Sequence, residues 1–288
     1  MRRLLSLILL TAVVVCACAQ TKRALVIGLG QQEDPSWRVI HGDKDVPYVT
    51  EMLKGCGYRQ ITTLVNKQAT KANIVREMHR LAKVSKPGDI IYIHFSGHGQ
   101  QMTDINGDET DDWDECWIPY DAYLRNCAKD RGGKHLTDDE NYDLLLSIRK
   151  SIGKSGKMLV VVDACHSGNS TKGIESGRED PAEDSVATRG AGVYERFIVS
   201  TPRRKVKDNR NEQWITLSAC KSYQENKEMP GRPVGRLTYA LYSMWKNHTL
   251  TFANVKSFMA KYPAGRTGQD PELHPKTTSE SELSKIFK

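Results

Sequence analysis

The sequence predicts an α/β fold in which a mostly parallel central sheet is flanked by helices on both faces. Three observations lead there. Residues 24–28, 90–95 and 158–162 are short apolar runs without polar alternation, as expected for strands covered on both sides. Segments with helical apolar spacing lie between them, and alternating strand and helix favours parallel pairing. Two of the runs then break abruptly into small and ionisable residues, Ser96-Gly97-His98-Gly99 and Asp163-Ala164-Cys165-His166-Ser167-Gly168. In an open parallel sheet, ligands bind beyond the carboxyl ends of the strands, so these two breaks mark the candidate site.

Taken in order, residues 1–19 carry Arg2 and Arg3, an apolar stretch at 4–15, and small residues from Cys16 to Ala19, the layout of a cleaved signal peptide. The stretch is shorter than the ~20 residues of a membrane span, so no stable span is expected. Ala17-Cys18-Ala19 fits a cleavage site and puts the mature start at Gln20. Val15-Cys16-Ala17-Cys18 also resembles a lipobox. The expectation is export to the periplasm or the medium, with a lipoprotein anchored through Cys18 as the alternative. Residues 20–288 are then one domain, expected as a monomer, and its 269 residues suffice for a sizeable core.

Arg2 and Arg3 leave with the signal, so 40 of 42 Lys and Arg remain against 35 Asp and Glu. Part of that mild excess is Arg203, Arg204, Lys205 and Lys207, which reads as a solvated loop. With no aromatic-interleaved basic motif, no nucleic-acid partner is expected. An exported chain is able to use disulfides, yet five cysteines remain past the signal, and an odd number leaves one thiol unpaired or joined to another chain. No C-x-x-C pair suggests structural zinc.

Strands are expected at 24–28, 61–65, 89–95, 158–162 and 214–219. Helices are expected at 45–54, 70–84, 137–152, 236–246 and 252–261, with Thr70 as an N-cap and Thr137 with Glu140 as a capping box. Residues 283–287 read as an edge strand. Residues 169–211 are polar with one apolar island at 197–199 and read mostly as a long exposed loop, open to proteolysis.

The chemistry sits at the two breaks. A thiol with an ordinary pKa of ~8.5 is mostly protonated at neutral pH, so Cys165 needs an imidazole to take its proton and later return it to a leaving amine. His98 is that candidate. His94 reads as a core residue, and His166 receives no role. Gly97 and Gly99 let backbone approach a substrate, and amides at Gly99 and Cys165 are candidate oxyanion donors. For a lone cysteine at a strand end a buried structural thiol would be the simpler reading; the paired histidine segment outweighs it.

His-Phe-Ser-Gly-His-Gly at 94–99 and Asp-Ala-Cys-His-Ser-Gly at 163–168, with Cys165 following His98 by 67 residues, resemble the paired signatures of metacaspases. These are caspase-like cysteine peptidases of clan CD, family C14, and the likeness is to an exported bacterial member. It spans about residues 22–219. It implies a caspase-haemoglobinase fold, a Cys165/His98 dyad, and a protein or peptide substrate with exposed Arg or Lys, cut after that residue. It also places Ser96 in the substrate pocket, with Asp45 as the family's second pocket acid and Asp43 as the fallback. A carboxylate at Asp163 beside the nucleophile suits a guanidinium independently of the resemblance. Asp45 or Asp43 could instead cap a helix, and Asp163 could hold a turn.

No cofactor is required for this chemistry, but calcium stimulation is a second expectation. The acidic segment 104–115 has oxygen ligands at positions one, three, five and twelve of an EF-hand-like loop, with glycine at position four instead of six. By resemblance, Asp114, Asp138 and Asp139 match three calcium positions of eukaryotic metacaspases, and Lys172 occupies the fourth. Lys172, Arg178 and Arg189 are candidate self-cleavage sites. The competing readings are a non-catalytic caspase-like module that binds basic peptides, and a clostripain- or gingipain-like peptidase or transpeptidase of the same clan.

Overall fold

The computed structural model describes residues 20–107, 112–165, 189, 196–200, 213–221, 224–262 and 268–288. Residues 1–19, Lys172 and Arg178 lie outside them. No helix among the described residues is long and apolar enough to cross a membrane.

The chain runs through β1 (Lys22–Gly28), α1 (Gly42–Gly55), β2 (Gln60–Val65), α2 (Lys71–Val84), β3 (Ile90–Ser96), β4 (Gly99–Thr103), β5 (Trp113–Trp117), β6 (Leu136–Thr137) and α3 (Asp138–Ile152). It continues with β7 (Lys157–Asp163), β8 (Ile215–Ser218), α4 (Arg236–Lys246), α5 (Phe252–Met259), β9 (Glu272–His274) and α6 (Glu280–Phe287). The main sheet has the order β2-β1-β3-β7-β8-β9, parallel except for the last pair. The two strands read as site-bearing are thus central neighbours, buried along nearly their whole length, which is why neither shows alternation.

Alternate side chains of β7 enter two separate cores. Leu159 and Val161 pack with α1, α4, α5 and α6, whereas Met158, Val160 and Val162 pack with α2 and α3. Helices therefore cover both faces, as the mostly parallel α/β reading requires. Thr70 caps α2 through the Asn73 amide and Thr137 caps α3 through the Glu140 amide. Glu140 does not return the second half of the box, because its carboxylate is 2.6 Å from Lys71 Nζ.

Two expectations are corrected. Residues 283–287 form the end of helix α6, opened by a reciprocal Ser279 and Glu282 capping box, and the edge strand is β9. The stretch 169–211 is not exposed throughout, since Arg189 and Phe197 are fully buried. Residues 196–200 return to β4, where Phe197 exchanges main-chain hydrogen bonds with Gln101 and Thr103. Together β4, β5 and β6 form a small antiparallel sheet whose hairpin carries the acidic excursion.

No disulfide joins Cys56, Cys116, Cys127, Cys165 and Cys220.

Candidate active site

Register brings the two breaks together. In the parallel pair β3 and β7, Ser96 faces Asp163, so His98 and Cys165 each follow two residues beyond the last paired positions of adjacent strands. Parallel neighbours lie about 4.8 Å apart. Gly97 donates to the Asp163 carbonyl at 3.4 Å, and a Cβ at Gly99 would overlap the Cys165 carbonyl, so only glycine admits this approach. Gly99 itself pairs with Trp117 in the small sheet.

His98 is held in place. Its ring stacks on Trp37 with centroids 4.9 Å apart, and Nε2 is 2.7 Å from the Arg38 carbonyl. A carbonyl only accepts, so Nε2 carries the proton and Nδ1 carries the lone pair of the neutral ring. Cys165 is buried, and burial pushes its thiol up to about 12, against the Asn226 amide that donates to Sγ at 3.0 Å. Such a thiol is protonated at neutral pH and needs a base.

Beside the thiol lies a closed pocket filled by the chain's own Arg189. Its Nη1 is 2.6 Å from Asp45 Oδ2, contacts Ser96 Oγ, and is 3.3 Å from the Asp163 carbonyl and 3.5 Å from Asp163 Oδ1. Glu228 Oε1 is 3.3 Å from Nε and from Nη2. The main chain is held as well: the Arg189 carbonyl accepts from the Cys165 amide at 2.8 Å, and its amide donates to the Asn226 carbonyl at 2.9 Å. A basic side chain thus fills the pocket while its own carbonyl rests on the amide of the nucleophile candidate.

The expected pocket residues Asp45, Ser96 and Asp163 converge on this guanidinium, Ser96 also donating to Asp45. Asp43 stays outside and pairs with Lys44 at 2.9 Å. Groups the sequence reading missed complete the site. Thr238 donates to Asp163 Oδ2 from its amide and hydroxyl, and Asn226 donates to Asp163 Oδ1 at 2.7 Å. The Gly235 amide donates to Asp45 Oδ1 at 2.9 Å, and a Cβ there would overlap the Asp163 carboxylate. Gly235 and Thr238 come from the N-cap and first turn of α4, and Asn226 from the stretch ahead of the Glu228–Gly235 bridge. No motif announced them, and none singles out Glu228.

The electrostatics require a cation. Asp45, Asp163 and Glu228 are all shielded from water, and unpaired carboxylates there would carry a large desolvation cost. Burial opposes ionisation of Asp163, but the Arg189 guanidinium and hydrogen bonds from Thr238 and Asn226 outweigh it and hold the carboxyl low. Burial pushes Asp45 up to about 6; Arg189 opposes that rise and the Asp163 charge adds to it. His94, fully buried next to Thr238, is pushed down to about 4 by burial and stays neutral.

The calcium residues do not form a comparable cluster. Asp139 accepts from Asn106, and Asp138 accepts from the Asp139 amide at 3.1 Å. Among the described residues no three acidic, His or Cys side chains are placed to hold a metal ion.

Residues 22–172, just over half of the chain, match the model of the metacaspase, peptidase C14 domain. Metacaspase-1A of Aspergillus oryzae is 33% identical over 163 residues, covering 53% of this chain and 36% of the relative. Metacaspase-1 of Coccidioides immitis is 28% identical over 246 residues, covering 74% and 51%. The chain thus spans between a third and about half of the length of these relatives. Among solved structures, a Geobacter sulfurreducens protein superposes with a TM-score of 0.62 at 24% identity, covering 88% of this chain and 92% of that one. Caspase-1 from Spodoptera frugiperda superposes with 0.53 at 10% identity, covering 91% and 87%. The two structural likenesses establish a caspase fold, and with the match across residues 22–172 the chain belongs to the metacaspase family of C14 peptidases.

Proposed function

We propose that the chain is a cysteine endopeptidase that cleaves after Arg or Lys and that the bond following Arg189 is one of its own substrates. The observation carrying this reading is Arg189, whose guanidinium lies among Asp45, Asp163 and Glu228 while its carbonyl accepts from the Cys165 amide. Cys165 Sγ passes its proton to His98 Nδ1 and attacks the carbonyl carbon. The C–S bond forms, and the displaced electron pair settles on the oxygen, stabilised by the Cys165 amide with Gly99 as the second proposed donor. Collapse breaks the C–N bond, and the amine leaves with the proton from His98. Water, deprotonated by His98, then attacks the thioester and expels the Cys165 thiolate, which is reprotonated.

Charge-assisted contacts to a planar cation support the basic preference. Export through residues 1–19 and action as a monomer belong to the same proposal.

The test is a panel of fluorogenic peptides ending in Arg, Lys, Asp or Asn, assayed with calcium or a chelator on wild type and Cys165→Ala, with intact mass recorded alongside. Turnover after Arg or Lys that disappears in Cys165→Ala is expected, together with a Cys165-dependent cut after Arg189. Turnover after Asp alone, or activity retained in Cys165→Ala, would sink the reading. Basic-peptide binding without turnover would favour the non-catalytic module.

A further inference from the structure

Arg189 meets two sets of groups on two edges of its guanidinium. Nη1 is taken by Asp45, Ser96 and the main chain and carboxylate of Asp163. The opposite edge, Nε and Nη2, faces Glu228 Oε1 at 3.3 Å. Glu228 is oriented by His41, whose main-chain N and ring Nδ1 lie 2.6 Å from its Oε1 and Oε2. Its side chain is 4% exposed, so the contact is made out of water.

We propose that Glu228 makes this pocket select arginine over lysine, an inference that rests on the pocket being that of a peptidase cutting after basic residues. Lysine ends in one compact ammonium on a four-carbon stem, whereas arginine carries one nitrogen within its side chain and two beyond it. An ammonium entering along the same path ends about where the guanidinium carbon lies and turns its N–H donors towards Asp45 and Asp163. It has nothing at the position of Nε and no second branch at Nη2. Glu228 therefore rewards only the guanidinium. A charge-assisted hydrogen bond in a dry site corresponds to roughly a tenfold or larger factor in kcat/KM.

The experiment compares kcat/KM for two fluorogenic peptides that differ only in Arg or Lys at the cleaved position, with wild type, Glu228→Gln and Asp45→Asn. Wild type is expected to prefer Arg about tenfold. Glu228→Gln lowers Arg turnover by about that factor and Lys turnover little, so the ratio approaches one, while Asp45→Asn lowers both alike. An unmoved ratio in an active Glu228→Gln variant, no preference in wild type, or a ratio that collapses in Asp45→Asn instead would overturn this assignment alone. Absence of turnover after either basic residue in wild type would remove the underlying peptidase reading and the selectivity with it. Should Glu228→Gln fail to fold, Glu228→Asp keeps the charge, withdraws it by one methylene, and carries the same expectation for the ratio.

Discussion

Asp45 and Asp163 share one guanidinium and are both fully buried, yet they titrate in opposite directions. Asp163 has Thr238 and Asn226 as additional donors and stays ionised. Asp45, pushed up to about 6, gains a proton as pH falls through that value. The pocket then loses one of the negative charges facing the substrate, so kcat/KM for an Arg peptide is expected to drop below about pH 6. Asp45→Asn should be slower at neutral pH and should lack this limb of the profile; an unchanged limb in that variant would assign it to another group. The sign for stability is reversed. A folded-state pKa above the ordinary 3.8 means that Asp45 favours the folded chain increasingly as pH falls from about 6 towards 4. Asp45 thus gains stability over the same range in which it loses affinity for a cation.

At the scale of elements, the described residues between β7 and β8 bear on the site: Arg189 fills the pocket and Phe197 pairs with the edge of β4. The Arg189 carbonyl rests on the Cys165 amide, so this residue lies against the nucleophile candidate; burial holds the thiol near 12, and the Arg189 charge opposes that rise. Arg189→Ala is therefore expected to raise the rate of Cys165 alkylation by iodoacetamide at pH 7.5 by at least about tenfold, measured by intact mass. Equal rates in the two proteins would show that Arg189 does not shield the thiol. Polar composition alone made this segment read as exposed, because nothing local distinguishes Arg189 from other loop arginines; only the carboxylates across the pocket do. The α6 misreading has a similar cause. A short apolar run fits strand or helix equally well, and the Ser279 and Glu282 box, confirmed by its reciprocal hydrogen bonds, was the overlooked signal.

Across the whole molecule, the central strands serve both stability and the site. Leu159 lies in one core, and truncating it to Ala should cost about 2–5 kcal/mol, whereas Val39→Ala, on a largely exposed side chain, should stay within roughly 0.5 kcal/mol. Urea unfolding monitored by circular dichroism checks both, and a similar small change in each would mean that β7 is not packed as described. The α/β class, the central strands, the capped helices and the placing of the His98 and Cys165 segments at the ends of buried strands were legible in the sequence. Each depends on local periodicity or on a short motif at a strand end. Burial of β3 and β7 on both faces follows from the same apolar runs. The resemblance already pointed to Asp45, Ser96 and Asp163; what tertiary structure alone decided is how the pocket is completed by Asn226, Glu228, Gly235 and Thr238, and that Arg189 fills it. Asp45, Ser96, Asp163, Arg189, Asn226, Glu228, Gly235 and Thr238 come from distant parts of the chain and meet only because parallel strand order and the α4 turn converge on one edge. Their roles arise from mutual desolvation and opposed charges, properties that a residue acquires only from neighbours brought close by folding.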